Sequence, residues 1–140
     1  MSFLLDTNVI SELRKGQRAD PGLQKWAAST EPRRQFTSVL VLGEIRHGTE
    51  LKRRHDPRQA AVLEAWLEKS IRMFHGRILP VDDKIADAWG RLGIPGPLPD
   101  IDGLIAATAK VHGLTVVTRD KAILAMNDIK SINPFSMDGM

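Results

Sequence analysis

Phe3-Leu4-Leu5-Asp6-Thr7-Asn8-Val9-Ile10-Ser11 is the stretch on which the reading of this chain turns. Three apolar residues in succession, with no alternating polar partner, are the pattern of a short strand buried on both faces of a parallel sheet. The run stops at a carboxylate, which places Asp6 at a strand's carboxyl end, the edge where open α/β sheets bind ligands. Asp, Thr and Asn also accept hydrogen bonds from first-turn N–H groups. Two readings of Asp6 and Asn8 therefore stand side by side, a cap for a helix beginning near Val9 or a site residue. The arrangement recurs: Leu114-Thr115-Val116-Val117 is a β-branched strand that ends at Thr118-Arg119-Asp120.

Between these two strands the pattern alternates. Val9 to Leu13 reads as a short helix, Arg14 to Gly22 as a polar loop with Pro21-Gly22 as breakers, and Leu23 to Ala28 as a second helix with Trp26 in the core or at an interface. Gln35-Phe36-Thr37 is a strand, with Ser38 placed to cap a long helix from Val39 to about Arg54. Beyond a break at Asp56-Pro57, Ala60 to Arg72 is amphipathic through Leu63, Trp66, Leu67 and Ile71. Arg77 to Val81 is a third strand whose proline points to a sheet edge. Asp82-Asp83 can cap a helix from Lys84 to Leu92 that buries Ile85, Ala88 and Trp89. Residues 93–99 hold two glycines and three prolines and read as a loop. An Ala-rich helix then runs from about Ile101 to His112, packing through Ile105, Ala106, Ala109 and Val111, with Asp100 as the more natural cap and Gly113 as its stop. Lys121 to Met126 is a short helix, Ile129 to Ile132 an edge strand and Asn133-Pro134-Phe135 a terminal turn. Strands alternating with helices define an α/β domain with a parallel sheet flanked by helices, an α/β/α sandwich over residues 1–135, with 136–140 as a disordered tail.

Composition narrows the function. At 140 residues and 42% hydrophobic, the chain supports one good core, not two. The absence of cysteine excludes a disulfide framework, a thiolate nucleophile and a Cys-type zinc site, and fits a reducing cytoplasm. No basic leader or bilayer-length apolar run is present, so we expect a cytoplasmic protein without a membrane anchor. A net charge of +3 is compatible with nucleic acid without requiring it. There is no phosphate-cradling glycine loop with lysine and no nucleophile elbow, which argues against ATP chemistry and acyl transfer. His47, His55, His75 and His112 are scattered without ligand spacing and read as surface or boundary residues.

What remains is acid. Glu44 emerges among Leu40, Val41, Leu42 and Ile45, an odd place for an unpartnered charge unless it snorkels to water. Asp102 shares a face with Ile105 and Ala106. Together with Asp6 and Asp120, these residues can converge on one sheet edge. Carboxylates about 4 Å apart repel by roughly 4 kcal/mol per pair at an effective dielectric of 20. Such a cluster takes up protons, opens, or binds a hard cation such as Mg²⁺ or Mn²⁺ through its oxygens.

At this point the residues resemble a known family. Leu5-Asp6-Thr7-Asn8, the segment Val41-Leu42-Gly43-Glu44-Ile45-Arg46-His47-Gly48, then Asp102-Gly103-Leu104-Ile105-Ala106-Ala107-Thr108-Ala109, and Val117-Thr118-Arg119-Asp120 resemble, in order, the motifs of PIN-domain ribonucleases. Among these the VapC-type toxins, FitB-like ones in particular, are the best match, with Gly76 to Pro80 and Asn133-Pro134-Phe135 adding to the likeness. The resemblance implies that Asp6, Glu44, Asp102 and Asp120 form a catalytic metal site for Mg²⁺ or Mn²⁺, with Asn8 and Thr118 as polar neighbours. It also implies endonucleolytic RNA cleavage, a homodimer, and a cognate small antitoxin through which alone operator DNA would be contacted. The proline- and glycine-rich stretch and Asp100 depart from the pattern, and Asp102 is preferred because the Ile105 to Ala109 register follows it. Arg33, Arg34, Arg53 and Arg54 are candidate RNA contacts. Two other classes compete, a catalytically silent partner of a DNA-binding antitoxin and a phosphoaspartate phosphatase built on Asp6. The second is disfavoured because Asn8 stands where such an enzyme places its second Asp.

Overall fold

The computed structural model describes residues 1–92 and 100–136. Five short strands, β1 (Phe3–Leu5), β2 (Gln35–Ser38), β3 (Ile78–Leu79), β4 (Thr115–Val117) and β5 (Ser131–Ile132), form one sheet in the order β3-β2-β1-β4-β5. Every pairing is parallel, with Leu4 opposite Phe36 on one side and Val116 on the other. All carboxyl ends therefore lie on one edge. The chain builds outward from β1 through β2 to β3 and then returns to the far side of β1, so the strand order reverses between β1 and β4. At such a switch point the flanking connections leave in opposite directions and open a crevice.

Leu4, Leu5, Val116 and Val117 are wholly buried, as runs without polar alternation require when helices cover both faces. Each such side chain stabilises the fold by about 1.5–3 kcal/mol. Helices α1 (Thr7–Leu13), α2 (Pro21–Ser29), α3 (Val39–Arg53), α4 (Pro57–Met73), α5 (Asp83–Arg91), α6 (Asp100–His112) and α7 (Lys121–Leu124) supply the rest of the core. α6 buries Gly103, Ile105, Ala106, Ala107, Thr108 and Ala109, small residues that let its backbone approach closely. Phe3 and Trp26 meet edge to face at 5.2 Å, which places Trp26 against the core. No helix among the described residues is long and apolar enough to cross a membrane.

Several boundaries differ from those expected, the starts of α1, α2 and α4 for a reason of capping. α2 and α4 begin at Pro21 and Pro57, where the sequence suggested breaks, because proline suits a first helical turn once Asp20 and Asp56 cap it through Leu23 N (3.0 Å) and Gln59 N (3.1 Å). α1 begins at Thr7 instead of Val9. α6 takes in Asp100 as a helical residue. α7 stops at Leu124, and β3 and β5 are only two residues each. Three side chains expected in the core face solvent: Trp89 (39% exposed), Ile71 and Val111. The expected loop over 93–99 and residues 137–140 of the tail expected over 136–140 lie outside the described residues, while Ser136, the first of that tail, is described and donates to Asp20.

Candidate functional site

Asp6 caps α1 with one carboxylate oxygen and faces the end of β4 with the other. Its Oδ1 accepts from Thr7 N (2.8 Å), capping α1, while Oδ2 turns toward the β4 end and accepts from Thr118 Oγ1 (2.8 Å) and Asn8 Nδ2 (3.3 Å). Thr118, fully buried, is the hub of this region. It also accepts from Asn8 Nδ2 (3.0 Å) and from Asp120 N (2.9 Å), and Asn8 Oδ1 accepts from Arg119 N (3.2 Å). The two strand ends on either side of the switch point are thereby tied into one network, and among the described residues no buried side-chain polar atom lacks a partner. Asp120, half-buried, caps α7 through Ala122 N (2.9 Å).

Glu44 reaches the same rim from α3. It does not snorkel free: Thr7 Oγ1 donates to its Oε1 at 2.6 Å, across 37 residues of sequence. Asp102 enters from the first turn of α6. Its carboxyl pKa is pushed up to about 6, by burial first, then by the charges of Asp120 and Asp6, a side-chain hydrogen bond with Asp120, and the charge of Glu44. Burial likewise raises Asp6, against the opposing hydrogen bonds from Thr118 and Thr7, with the charges of Glu44 and Asp120 adding to the rise. The four acids chosen from the sequence therefore act on one another electrostatically. Asp100 lies two residues before Asp102, about 200° around the helix, and is exposed.

Among the described residues, no three of the His, Cys, Asp and Glu side chains are drawn tightly enough to form a finished ion cage. The donor set nevertheless fits a hard divalent cation. It offers carboxylate oxygens only, and the carboxyls of Asp6 and Asp102, held above their ordinary range by burial and then by the charges of neighbouring acids, gain most from a nearby positive charge. All four histidines are exposed and outside the cluster.

The arginines expected to contact RNA are not brought to this rim. Arg33 and Arg34 lie in a 3₁₀ turn before β2, at the amino edge of the sheet, and both approach Glu31. Arg34 lines a shallow pocket with Met1 and Phe3, on the opposite side of the sheet from the acids. Arg53 is committed to Glu50 (3.0 Å) and Glu64 (3.2 Å). Arg54 is exposed at the far end of α3. Their sequence signal was local charge density, which does not register the sheet edge on which a turn falls. Conversely, the pairing of Thr7 with Glu44 has no local sequence signal beyond Thr7's place between Asp6 and Asn8.

A parallel sheet with four acids gathered at its switch point defines a class of α/β proteins with an acidic strand-end site. The comparisons narrow the class: the family model for the PIN domain matches residues 3–129, and the chain belongs to that family. It is similar to Toxin FitB of Neisseria gonorrhoeae, 36% identical over 139 residues, covering 95% of this chain and 98% of that one. VapC ribonuclease Y4jK of Sinorhizobium fredii is 31% identical over 139 residues, covering 95% and 97%. Among solved structures, FitAB bound to the IR36 DNA fragment superposes with a TM-score of 0.83 at 33% identity, covering 96% of each chain.

Proposed function

We propose that this chain is the toxin of a toxin–antitoxin pair and that it cuts RNA with the help of Mg²⁺ or Mn²⁺. The observation that carries the reading is the convergence of Asp6, Glu44, Asp102 and Asp120 from four separated segments onto one rim, where burial first and the charges of the other acids after it push Asp102 up to about 6. Structural acids of a folded domain are usually paired with bases; these are paired with hydroxyls, an amide and one another. The names of similar proteins, a FitB toxin and VapC ribonucleases, support the same activity, and FitAB is a complex seen on DNA.

In this reading the carboxylates of Asp6, Glu44, Asp102 and Asp120 would hold the cation, and the chemistry it would supply there is activation of water and neutralisation of phosphodiester charge. Thr118 and Asn8 fix the orientation of Asp6, so that a given oxygen faces the crevice. Thr7 does the same for Glu44. Asn8 also anchors the Arg119 backbone, which limits how far Asp120 can swing. A small cognate antitoxin would restrain the toxin and would itself carry any operator-DNA contact. A homodimer and a cytoplasmic setting complete the proposal.

The test is direct. Purified protein incubated with RNA should cut it in Mg²⁺ and stop in chelator, and Asp6→Asn should lose about 100-fold or more of the rate, as removal of a metal ligand or its immediate support does. Cleavage that persists in chelator, or in Asp6→Asn, removes the metal mechanism. A silent partner instead predicts no RNA cleavage by wild type under any divalent ion.

A further inference from the structure

A groove of about 660 Å³ opens beside Glu44 and runs between α1, α3 and α4. Thr7 and Glu44 are at its mouth, which makes groove and acid site continuous; Ser11, Arg14, Lys52 and Trp66 line it further along. Its charges are not equivalent. Glu44 is held by Thr7, and Asp56 is occupied in capping α4. Of the cations next to Arg14 and Lys52 in the chain or on α3, Lys15, Arg46 and Arg53 are spoken for by Glu12, Glu50 and Glu64. Arg14 and Lys52 are exposed and have no acidic partner among the described residues. Two uncommitted cations beside the hydroxyl of Ser11 and the amide of Gln59, on a wall that is otherwise about half apolar, suit a polyanion with apolar bases.

We propose that this groove carries the RNA strand away from the cut, with Arg14 and Lys52 gripping its backbone phosphates and Trp66 forming an apolar wall beside the bases. The inference rests on the ribonuclease reading and adds the path of the substrate to it. Lys52 lies two turns beyond Glu44 on α3, about 12 Å along the axis. At about 3.4 Å per nucleotide of a stacked strand, that is three to four nucleotides from the acids. A strand cut at the rim must leave by some route, and the groove is continuous with the acids while the exposed arginines of the amino edge are not. A neighbouring pocket of about 340 Å³, lined by Ile10, Leu13, Met73 and Phe74, shares Arg14 and Trp66 with the groove. It is more apolar, and it makes a protein segment the rival occupant.

The experiment measures binding of a short dye-labelled single-stranded RNA by fluorescence anisotropy, in chelator so that no cutting occurs, over a series of salt concentrations. It compares wild type, the Arg14→Ala/Lys52→Ala pair, and the Arg33→Ala/Arg34→Ala pair from the opposite edge. The groove pair should weaken binding about tenfold or more and lower the slope of log affinity against log salt by about 1.4, since each phosphate contact to a single strand contributes about 0.7. Its melting temperature and its Mn²⁺ affinity by calorimetry should match wild type, because both side chains are exposed and neither is bonded to any of the four acids. The amino-edge pair should bind as wild type does. Unchanged affinity and slope in the groove pair, or an equal loss in the amino-edge pair, overturns the proposal. So does a groove pair that keeps its RNA affinity but no longer co-purifies with a small partner protein that wild type retains, which makes the groove a protein-binding surface. Wild type that binds RNA through the groove yet never cuts it in Mg²⁺ or Mn²⁺ removes the ribonuclease reading and leaves the RNA path standing.

Discussion

Asp102 has a consequence for stability as well as for chemistry. In the folded chain its carboxyl titrates near 6, against 3.8 for an ordinary Asp, because burial and the charges of Asp120 and Asp6 oppose ionisation. The native state therefore binds the proton more tightly than the unfolded chain does. Stability falls as pH rises from about 4 to about 6, and the whole penalty remains above that window. The gap corresponds to about 3 kcal/mol for a dry group, and partial exposure with solvent screening reduces it to about 1 kcal/mol. In chelator at pH 7, Asp102→Asn should melt higher than wild type by about 3 °C, and the advantage should vanish near pH 4. A mutant that melts lower than wild type at pH 7 in chelator would show that Asp102 is a structural acid. Thr7 offers a second residue-scale test. Thr7→Val keeps the shape and removes the donor to Glu44, so divalent-ion affinity measured by calorimetry should drop about tenfold, the lower end of what an outer partner of a metal ligand contributes. Thr7→Ser should restore it. Equal affinities in Val and Ser variants would leave the 2.6 Å contact without a role in the site.

At the scale of elements, what the sequence discloses is the location of apolar runs and acids, and what it conceals is how termini are capped. β1 and β4 were legible because no polar residue interrupts them, and their burial follows from that. The starts of α2 and α4 were not, because Pro21 and Pro57 break a helix in its interior and begin one behind a capping Asp. Exposure of Trp89 and Ile71 was hidden for another reason: helical periodicity marks a face, and neighbours decide how much of that face is covered. The strap at the C-terminus was also invisible. Asp20 Oδ2 accepts from Leu23 N and from Ser136 N (2.7 Å), and Phe135 lies under the Arg119 guanidinium at 4.8 Å. The strap passes so close to α2 that a Cβ on Gly22 would stand 2.5 Å from Pro134 O and 2.8 Å from Ser136 N, both backbone atoms. Gly22→Ala should therefore cost about 1–3 kcal/mol through overpacking, although alanine is the better helix former. Thermal melts test this directly. An unchanged or higher melting temperature would mean that residues 134–136 move aside freely.

For the whole molecule, the sheet order connects sequence to site. The chain places β1 at the centre, and only because β4 returns beside it do Asp6 and Asp120, 114 positions apart, end on the same crevice. Which strands neighbour each other was beyond the sequence, since β3 and β5 are two residues each and carry little pattern. That the acids belong together was within it, because strand-end placement and an apolar setting are local properties. A site assembled from β1, α3, α6 and the β4 end has a global signature: a cation bridging these elements stabilises the fold as a unit. Binding only to the native state contributes RT ln(1 + [L]/Kd), about 2.7 kcal/mol when the ion is at 100 times its Kd. For a chain of this length that raises the melting temperature by about 8 °C. Titrating Mn²⁺ into the purified protein should therefore give a concentration-dependent rise that chelator reverses, and Asp6→Asn, which removes a charge at the centre of the sheet, should abolish it. Ca²⁺, which prefers more oxygens at longer distances than Mg²⁺ or Mn²⁺ does, should produce a smaller rise at the same concentration. A melting curve indifferent to Mn²⁺ up to millimolar levels would show that the acids tolerate one another without an ion, and the rim would then have to act by holding protons.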